Sequence, residues 1–213
     1  MRARDAADRR IYGPRVHGLG VVAAGLGAVI LGASIAGARR PALPRAEQKV
    51  FRALNGLPDA LYWPLWVPMQ LGNLVVGTVL GLLAALAWRD GGLAIAVVCA
   101  VVAKLVTERL LRRWLEPQLA IRQRPGTSEP GARLRGDVPE RGPSFPSGHV
   151  ILVAAVGRVV AAGSPAAWSP VPLLVMLLVG VGRVYVGAHN PLDVTAGLGM
   201  GLLVGGLLAI PLR

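Results

Sequence analysis

Charged residues are scarce in this sequence of 213 residues: Asp, Glu, Lys and Arg together make up 16% of it, whereas soluble domains carry about 25%. Hydrophobic residues make up 54%, and the mean hydropathy is +0.55. Several apolar runs reach the roughly 20 residues that are needed to cross a bilayer. The low charge therefore excludes an ordinary soluble domain and predicts an integral membrane protein, built as one bundle without a separate soluble domain.

Cysteine and acidic residues are also few. The single cysteine, Cys99, lies in an apolar run, so no intramolecular disulfide is possible, and we interpret it as a packing residue. The 11 acidic residues face 23 basic ones, which gives a formal net charge of +12. Because the arginines are dispersed among apolar segments, contact with anionic lipid headgroups is favoured over binding to nucleic acid. We expect membrane lipids, and no nucleic acid, as partners.

The order of apolar and polar segments predicts an all-α polytopic membrane protein with six transmembrane helices in one bundle. Residues 1–15 form a basic N-terminal tail and residues 16–213 the membrane domain. An amphipathic segment within 38–67, rich in aromatic residues near its end, predicts an interfacial helix between spans one and two. The predicted spans are 16–37, 69–88, from about 93 into the charged stretch near 113, 147–163, 170–186 and 191–212. Glycines expected to let helices pack closely are Gly197, Gly199, Gly201, Gly205 and Gly206.

Histidine is rare as well, and two of the three histidines lie in short polar stretches at the edges of apolar segments. The first stretch is Pro146-Ser147-Gly148-His149. Ser147 fits an N-cap, and the free N–H groups and dipole of the following helix form an anion site. Gly148 would let a ligand approach the backbone, and His149 could donate a proton to it. Taken alone, the stretch also fits an ordinary cap followed by an interfacial histidine.

The second stretch contains Arg183, His189 and Asp193. Asn190 and Pro191 are typical of a helix start, which puts Asp193 in the first turn and within reach of His189. A carboxylate bonded to one imidazole nitrogen fixes the tautomer and makes the other nitrogen more nucleophilic. Arg183 supplies a guanidinium suited to phosphate oxygens. The alternative is an Arg–Asp pair that only stabilises the bundle, but that interpretation leaves His189 without a role.

Together these stretches resemble the type 2 phosphatidic acid phosphatase (PAP2) superfamily, whose members carry an Arg-Pro, a Pro-Ser-Gly-His and an Arg-x5-His-x3-Asp element. Here the elements are Arg124-Pro125, residues 146–149 and the stretch from Arg183 to Asp193, so the match spans residues 124–193. The resemblance implies a membrane lipid phosphatase whose site-bearing core covers about residues 93–213.

The same resemblance implies a metal-independent mechanism without a cofactor, which proceeds through a phosphohistidine. His189 would attack phosphorus, Asp193 would orient it, and His149 would protonate the leaving alkoxide and later activate water. The residues expected to hold the phosphate oxygens are Arg124, Ser147, Gly148 and Arg183. No residue is expected to bind a metal.

Two positions depart from the family's pattern. Pro117 stands where the family usually has a lysine, and Gly182 stands where it usually has a serine. Lys104, Arg113 and Arg122 are candidates to replace the lysine, and the sequence does not choose among them. Because both departures leave the two histidines and the aspartate in place, we expect an active enzyme whose substrate preference is open.

The expected substrate is a phosphomonoester or diphosphate on a lipid, such as phosphatidate, phosphatidylglycerol phosphate or a polyprenyl phosphate. Two alternatives stay open: a transferase that passes the phosphoryl group or headgroup to another acceptor, and a catalytically silent lipid-binding protein. The superfamily's vanadate-dependent haloperoxidases are soluble, which does not fit the apolar spans.

The expected location is the plasma membrane, with both termini on one side and the active face on the other. A count of basic residues alone would put the active face inside the cell. The arginines of the long polar loop at residues 117–146, however, suit a substrate phosphate, and members of the family commonly place this face outside the cytoplasm. We therefore expect an extracytoplasmic active face. The sequence does not indicate the oligomeric state.

Overall fold

A computed structural model describes residues 2–40, 43–115 and 122–212. The regular structure of these residues is helical, without a β-strand, which confirms the all-α prediction. The helices are α1 (Arg2–Ala38), α2 (Arg45–Asn55), α3 (Tyr62–Met69), α4 (Leu74–Ala87), α5 (Gly91–Leu115), α6 (Pro125–Ser128), α7 (Gly148–Gly163), α8 (Pro170–Tyr185) and α9 (Pro191–Ala209).

Two helices in the described ranges are long and apolar enough to cross a membrane: Gly18–Ala38 within α1, and α9. A third span results if Asp59–Gly72 and Leu74–Ala87 are counted together, although they meet at an angle of 74°. Helices α7 and α8 are apolar but shorter. The six spans predicted from the sequence therefore stay a prediction.

Large apolar side chains cover the outside of the bundle. Val29 of α1, Leu86 of α4, Ile95 of α5 and Leu177 of α8 are each more than 60% exposed. Single exposed apolar residues are normal on soluble proteins, but wide apolar surfaces indicate contact with a partner or a membrane. An apolar exterior around several helices is what a lipid-embedded bundle requires.

The predicted second span, residues 69–88, is interrupted near its start. Asn73 has extended backbone geometry, and its Oδ1 accepts hydrogen bonds from the N–H groups of Val75 (2.9 Å) and Val76 (3.4 Å). This N-cap starts α4 at Leu74, because the asparagine satisfies donors that a continuing helix would have bonded to its own backbone. The break leaves a short turn before Asn73, and this turn packs against the N-terminal end of α7.

Helix α9 lies between α1 and α7, and its glycines form both contacts. A Cβ atom added at Gly199 would lie 2.5 Å from the backbone nitrogen of Leu31 in α1, and one at Gly201 would lie 2.6 Å from the carbonyl oxygen of Ile151 in α7. Small residues allow such close backbone approach in membrane helices. The glycines facing α1 are Gly199 and Gly206, and those facing α7 are Gly197, Gly201 and Gly205. The prediction that these glycines pack helices is confirmed.

Helix α7 is the centre of the bundle and packs against α4, α5, α8 and α9. Residues 150–156, two full turns, are buried on every side. An apolar helix that is covered all round must lie in the interior. Its N-terminus, which carries Gly148 and His149, is therefore held rigidly at one end of the bundle.

The amphipathic helix α2 covers that end of the bundle, where it contacts α8 and α9. Glu47, Phe51 and Asn55 recur every four residues on its buried face, whereas Lys49 and Arg52 point outward. The helix predicted between the first two spans is thus present, and its position at the membrane surface stays a prediction.

The long loop, which joins α5 to α7 and is described from residue 122 onward, is fixed to the end of α8 by Arg135. Its guanidinium donates to the carbonyl oxygens of Tyr185 (2.8 Å) and Asn55 (2.9 Å) and lies 4.2 Å from the centre of the Tyr185 ring. Just beyond Tyr185 the chain turns at Gly187, whose φ of +77° suits glycine. The turn brings His189 close to the long loop.

Candidate active site

His189 and Asp193 face each other in the interior, between α8 and the first turn of α9. His189 is 3% exposed and Asp193 is fully buried. The imidazole Nδ1 lies 3.8 Å from Asp193 Oδ2, which is within ion-pair distance but long for a hydrogen bond. The same Oδ2 accepts a hydrogen bond from the backbone N–H of Asn190 at 2.9 Å. The predicted pairing of His189 with Asp193 is therefore present as a close contact.

The protonation of His189 follows from its burial. Removal from water lowers the pKa of His189, as do the charges of Arg183 and Arg124, while Asp193 acts in the opposite direction. The net direction is below the usual value, so the imidazole is neutral near pH 7. A neutral imidazole with its proton on Nδ1, towards Asp193, would keep the lone pair on Nε2, as a nucleophile needs.

The other carboxylate oxygen of Asp193 contacts a cation, Arg122. Arg122 Nε donates to Asp193 Oδ1 at 3.0 Å, and Arg122 Nη2 pairs with Glu47 Oε1 of α2. Glu47 Oε1 also accepts the free backbone N–H of Leu192 in the first turn of α9, at 3.0 Å. All three charged side chains are buried.

The predicted phosphate-binding stretch begins α7. Ser147 is the N-cap residue and Gly148 the first helical residue, as expected, although the Ser147 side chain makes no capping bond. The Ser147 hydroxyl is buried without a hydrogen-bond partner in the described ranges. Its backbone N–H donates to the carbonyl oxygen of Asp193 at 2.9 Å, which joins the start of α7 to the start of α9.

An acidic side chain of α5 already lies at this helix start. A Cβ added at Gly148 would lie 2.7 Å from Glu108 Oε1. Glu108 in turn pairs with Lys104 at 2.6 Å and with Arg112 at 3.0 Å, on the same face of α5. Arg112 Nη2 also donates to the carbonyl oxygen of Pro146 at 3.3 Å. The position where we expected a ligand anion is thus bordered by a carboxylate and two cations.

His149 stands at the edge of the same region and is partly exposed. Its ring packs against the turn that precedes Asn73, because a Cβ at Gly72 would lie 3.1 Å from His149 Cδ2. Arg124 and Arg183 lie close enough for their charges to act on both His149 and His189. The two polar stretches, forty residues apart in sequence, therefore converge on one site.

The two predicted phosphate-binding arginines differ in how they are held. Arg124 Nη1 donates to the carbonyl oxygen of Ala188 at 2.9 Å, next to His189. Burial lowers the pKa of Arg124, and the nearby charge of Arg112 acts in the same direction. Arg183 Nε is buried and has no hydrogen-bond partner within the described residues. Concentrated positive charge with an unused donor suits a multiply charged anion.

Gly182, where the family usually has serine, is buried against α3. A Cβ at this position would lie 2.7 Å from both Cγ and Sδ of Met69. A serine side chain would therefore overlap the methionine unless the Met69 side chain shifted.

The other departure, Pro117, lies outside the described residues. Of the three candidates to replace the lysine, Arg113 is exposed and Arg122 is bonded to two carboxylates. Lys104 is partly buried, with its charge close to His149.

Sequence reasoning missed Glu47, Glu108 and the attachment of Arg122 to Asp193. A signal existed for Glu47, because Glu47, Phe51 and Asn55 are spaced four residues apart and so share one face of a short helix. A glutamate on the same helix face as a buried apolar residue such as Phe51 indicates that its carboxylate has a buried polar partner. Among the described residues, no group of three or more His, Cys, Asp and Glu side chains is suited to hold a metal ion.

The structure is thus a helical bundle with a His–Asp pair, a second histidine and several arginines at one end. The sequence model of the PAP2 superfamily matches residues 85–210. The chain therefore belongs to the PAP2 superfamily, as predicted from the three elements.

Two solved structures share the fold. One is the crystal structure of LpxE from Aquifex aeolicus, with 23% sequence identity and a TM-score of 0.64; the match covers 74% of this chain and 90% of LpxE. The other is a transmembrane PAP2-type phosphatidylglycerolphosphate phosphatase from Bacillus subtilis, with 22% identity and a TM-score of 0.64, over 89% and 94% of the two chains. No curated protein sequence is significantly similar to the chain.

Proposed function

We propose that this protein is a membrane-embedded lipid phosphatase that hydrolyses a phosphomonoester or diphosphate on a lipid through a phosphohistidine. The observation that carries the proposal is the buried, neutral His189, which is backed by Asp193 and has His149, Arg124 and Arg183 around it. A nucleophile, an orienting carboxylate, a proton donor and cations are the parts that phosphoryl transfer needs.

The reaction has two steps. In the first, His189 Nε2 attacks phosphorus, the bond between phosphorus and the lipid oxygen breaks, and His149 gives its proton to the leaving alkoxide. In the second, His149 takes a proton from water, the hydroxide attacks phosphorus, and the bond to His189 breaks to release phosphate. The groups assigned to the phosphate oxygens in both transition states are Arg124, Arg183, the Ser147 hydroxyl and the backbone N–H of Gly148.

The cations of α5 complete the site in this proposal. Lys104 and Arg112 flank Glu108 next to Gly148, and both remain partly accessible. A substrate phosphate bound at the start of α7 would meet these two side chains. They therefore take the role for which the family uses the lysine that is absent at Pro117, and Glu108 holds them in place.

The proposal that the substrate is a lipid follows from where the site lies in the bundle. The site is at one end of the bundle. The exposed aromatic residues Trp63 and Trp66 lie on α3, which packs against α8, and such rings favour the headgroup level of a bilayer. We propose a six-span topology in the plasma membrane, with α2 lying at the interface and the active face outside the cytoplasm. A lipid headgroup then reaches the site without leaving the membrane surface. The Bacillus subtilis phosphatidylglycerolphosphate phosphatase of the same fold is consistent with a lipid phosphate as substrate.

Release of inorganic phosphate tests the proposal. The purified protein in detergent, with EDTA present, is given a panel of lipid phosphates: phosphatidate, phosphatidylglycerol phosphate and polyprenyl mono- and diphosphates. We expect release from at least one of them, loss of turnover in His189→Ala, and a decrease of about 10²–10⁴-fold in His149→Ala, the usual contribution of a general acid.

Arg141→Gln is the matched control for Arg124→Gln, because both arginines belong to the same loop but Arg141 is exposed. Arg124→Gln should lower kcat/KM and Arg141→Gln should leave it unchanged. Undiminished turnover in His189→Ala would overturn the mechanism, and a strict requirement for a divalent metal would overturn its metal independence. Transfer of phosphate to an added alcohol in preference to water would identify a transferase instead.

A further inference from the structure

Three buried side chains form a chain of charges behind the catalytic histidine. Arg122 lies between Glu47 of α2 and Asp193 of α9, and the side chains of all three are at most 6% exposed. Asp193 Oδ1 accepts from Arg122 at 3.0 Å, and its Oδ2 faces His189 Nδ1 at 3.8 Å. Glu47 is thus connected to the imidazole through one guanidinium and one carboxylate.

The stability of the fold does not by itself explain why these three charged side chains are buried together. Burying an ion pair or triad is often no more stabilising than packing apolar side chains in the same volume, because each ion loses its water. Asp193 could also start α9 without Arg122, since its side chain already accepts the N–H of Asn190 at 2.9 Å. The two carboxylates and one guanidinium carry one net negative charge, and that charge lies beside the group that must become positive during the reaction.

We propose that Glu47 and Arg122 are positioning residues that hold Asp193 against His189 and set the negative charge behind the imidazole. The proposal rests on the function proposed above, in which His189 attacks phosphorus. As Nε2 bonds to phosphorus, the ring gains positive charge, and a carboxylate held in place stabilises it without reorganisation. The amphipathic helix α2 is then part of the active site as well as a cover for the bundle.

The charge count predicts opposite effects for two isosteric substitutions. Arg122→Gln leaves two carboxylates and two negative charges, so the His189–Asp193 pair takes up a proton at higher pH. Glu47→Gln leaves a balanced Arg122–Asp193 pair, so the imidazole holds its proton less strongly and is protonated only at lower pH. The double variant has one net negative charge again, as in the unmodified protein.

Other charges near His189 are the same in all these variants. Arg183 of α8 and Arg124 of the long loop act on His189 directly, and His149 of α7 is the other titratable group facing it. Changes in the pH profile between variants can therefore be assigned to Glu47 and Arg122.

The experiment measures kcat and KM for phosphate release against pH in each variant, on the best lipid substrate from the panel. We expect the acid limb of kcat/KM to move up by about 0.5–1 pH unit in Arg122→Gln, down by a similar amount in Glu47→Gln, and back towards the unmodified value in the double variant. At the pH optimum, kcat should decrease while KM changes little, because the substrate does not contact these residues. Arg122→Lys keeps the charge and should retain the limb, although its kcat decreases because lysine cannot bridge both carboxylates.

Asp137→Asn and Arg141→Gln are charge-matched controls, because each changes the net charge by the same amount as Glu47→Gln or Arg122→Gln at an exposed position. Both should leave the acid limb where it is. If Arg122→Gln fails to fold because two carboxylates lose their partner, Glu47→Gln and the double variant still carry the test.

The outcomes separate this inference from the proposed function. A dead His189→Ala together with coinciding acid limbs in the unmodified protein, Glu47→Gln and Arg122→Gln would overturn the inference and leave the phosphatase mechanism intact. A merely structural role would lower stability or kcat in both single variants without moving the limbs in opposite directions. Turnover in His189→Ala would instead overturn the proposed function itself.

Discussion

A methyl group at Gly182 tests whether the glycine that replaces the family's serine is required by packing. In Gly182→Ala the new Cβ would lie 2.7 Å from Cγ and Sδ of Met69, whereas carbon atoms in contact prefer about 3.5–4.0 Å. Met69 is buried at 4% exposure, so it has little room to move. Overpacking of this kind costs about 1–3 kcal/mol. Because Gly182 precedes Arg183, we also expect kcat/KM to decrease.

Thermal unfolding in detergent measures the cost. About 1 kcal/mol corresponds to about 2–4 °C in Tm for a chain of this length, and Gly182→Ser should be no better than Gly182→Ala. The matched control is Gly25→Ala, where a Cβ would have no atom within 4 Å. In the double variant Gly182→Ala with Met69→Ala, the two losses should be less than additive, because truncating Met69 removes the overlap. A Gly182→Ser protein that is both as stable and more active would refute this reasoning.

Three further predictions concern the cations, the pH profile and the helix packing. Arg112→Gln should raise KM for the lipid phosphate about 10-fold, the loss of one charge-assisted hydrogen bond, while Arg109→Gln, exposed on the same helix, should leave KM unchanged in the same phosphate-release assay. Because burial lowers the pKa of His189, the neutral nucleophile persists as the pH falls, and the acid limb of kcat/KM should lie below the ordinary histidine value of about 6.5; a limb above it would contradict the assignment. Gly199→Leu should prevent stable folding, judged by gel filtration, because the side chain meets the backbone of Leu31, which cannot move aside.

The parts of the site that could be predicted from the sequence are those held by local signals. Asn190 and Pro191 start α9, which puts Asp193 in its first turn and brings it back to His189, and Ser147 starts α7 as expected. Such caps and turns act over four or five residues, so they can be identified in one sequence. The family resemblance then connected the two stretches, because their convergence depends on how α7 and α9 pack.

Contacts between distant parts of the chain could not be predicted in this way. The pairing of Glu47 with Arg122 joins residues 75 apart, and it depends on how α2 folds over the end of the bundle. Glu108 meets Gly148 only because α5 and α7 are neighbours. The break at Asn73 was also missed, since the apolar pattern continues on both sides and only the cap interrupts the helix. The hydropathy of a segment predicts whether the segment is buried, but it does not predict which residue a polar side chain contacts.

A phosphoenzyme trap tests the central claim most directly. The protein is mixed with a lipid substrate labelled with ³²P in its terminal phosphate, quenched in alkali within one turnover, and digested to locate the label. The mechanism predicts that protein-bound phosphate appears and decays at the rate of turnover, is stable to alkali and labile to acid, and resides on His189. Turnover with label on another residue, or single-turnover hydrolysis with no protein-bound phosphate at any time, would contradict the proposal that His189 is the nucleophile.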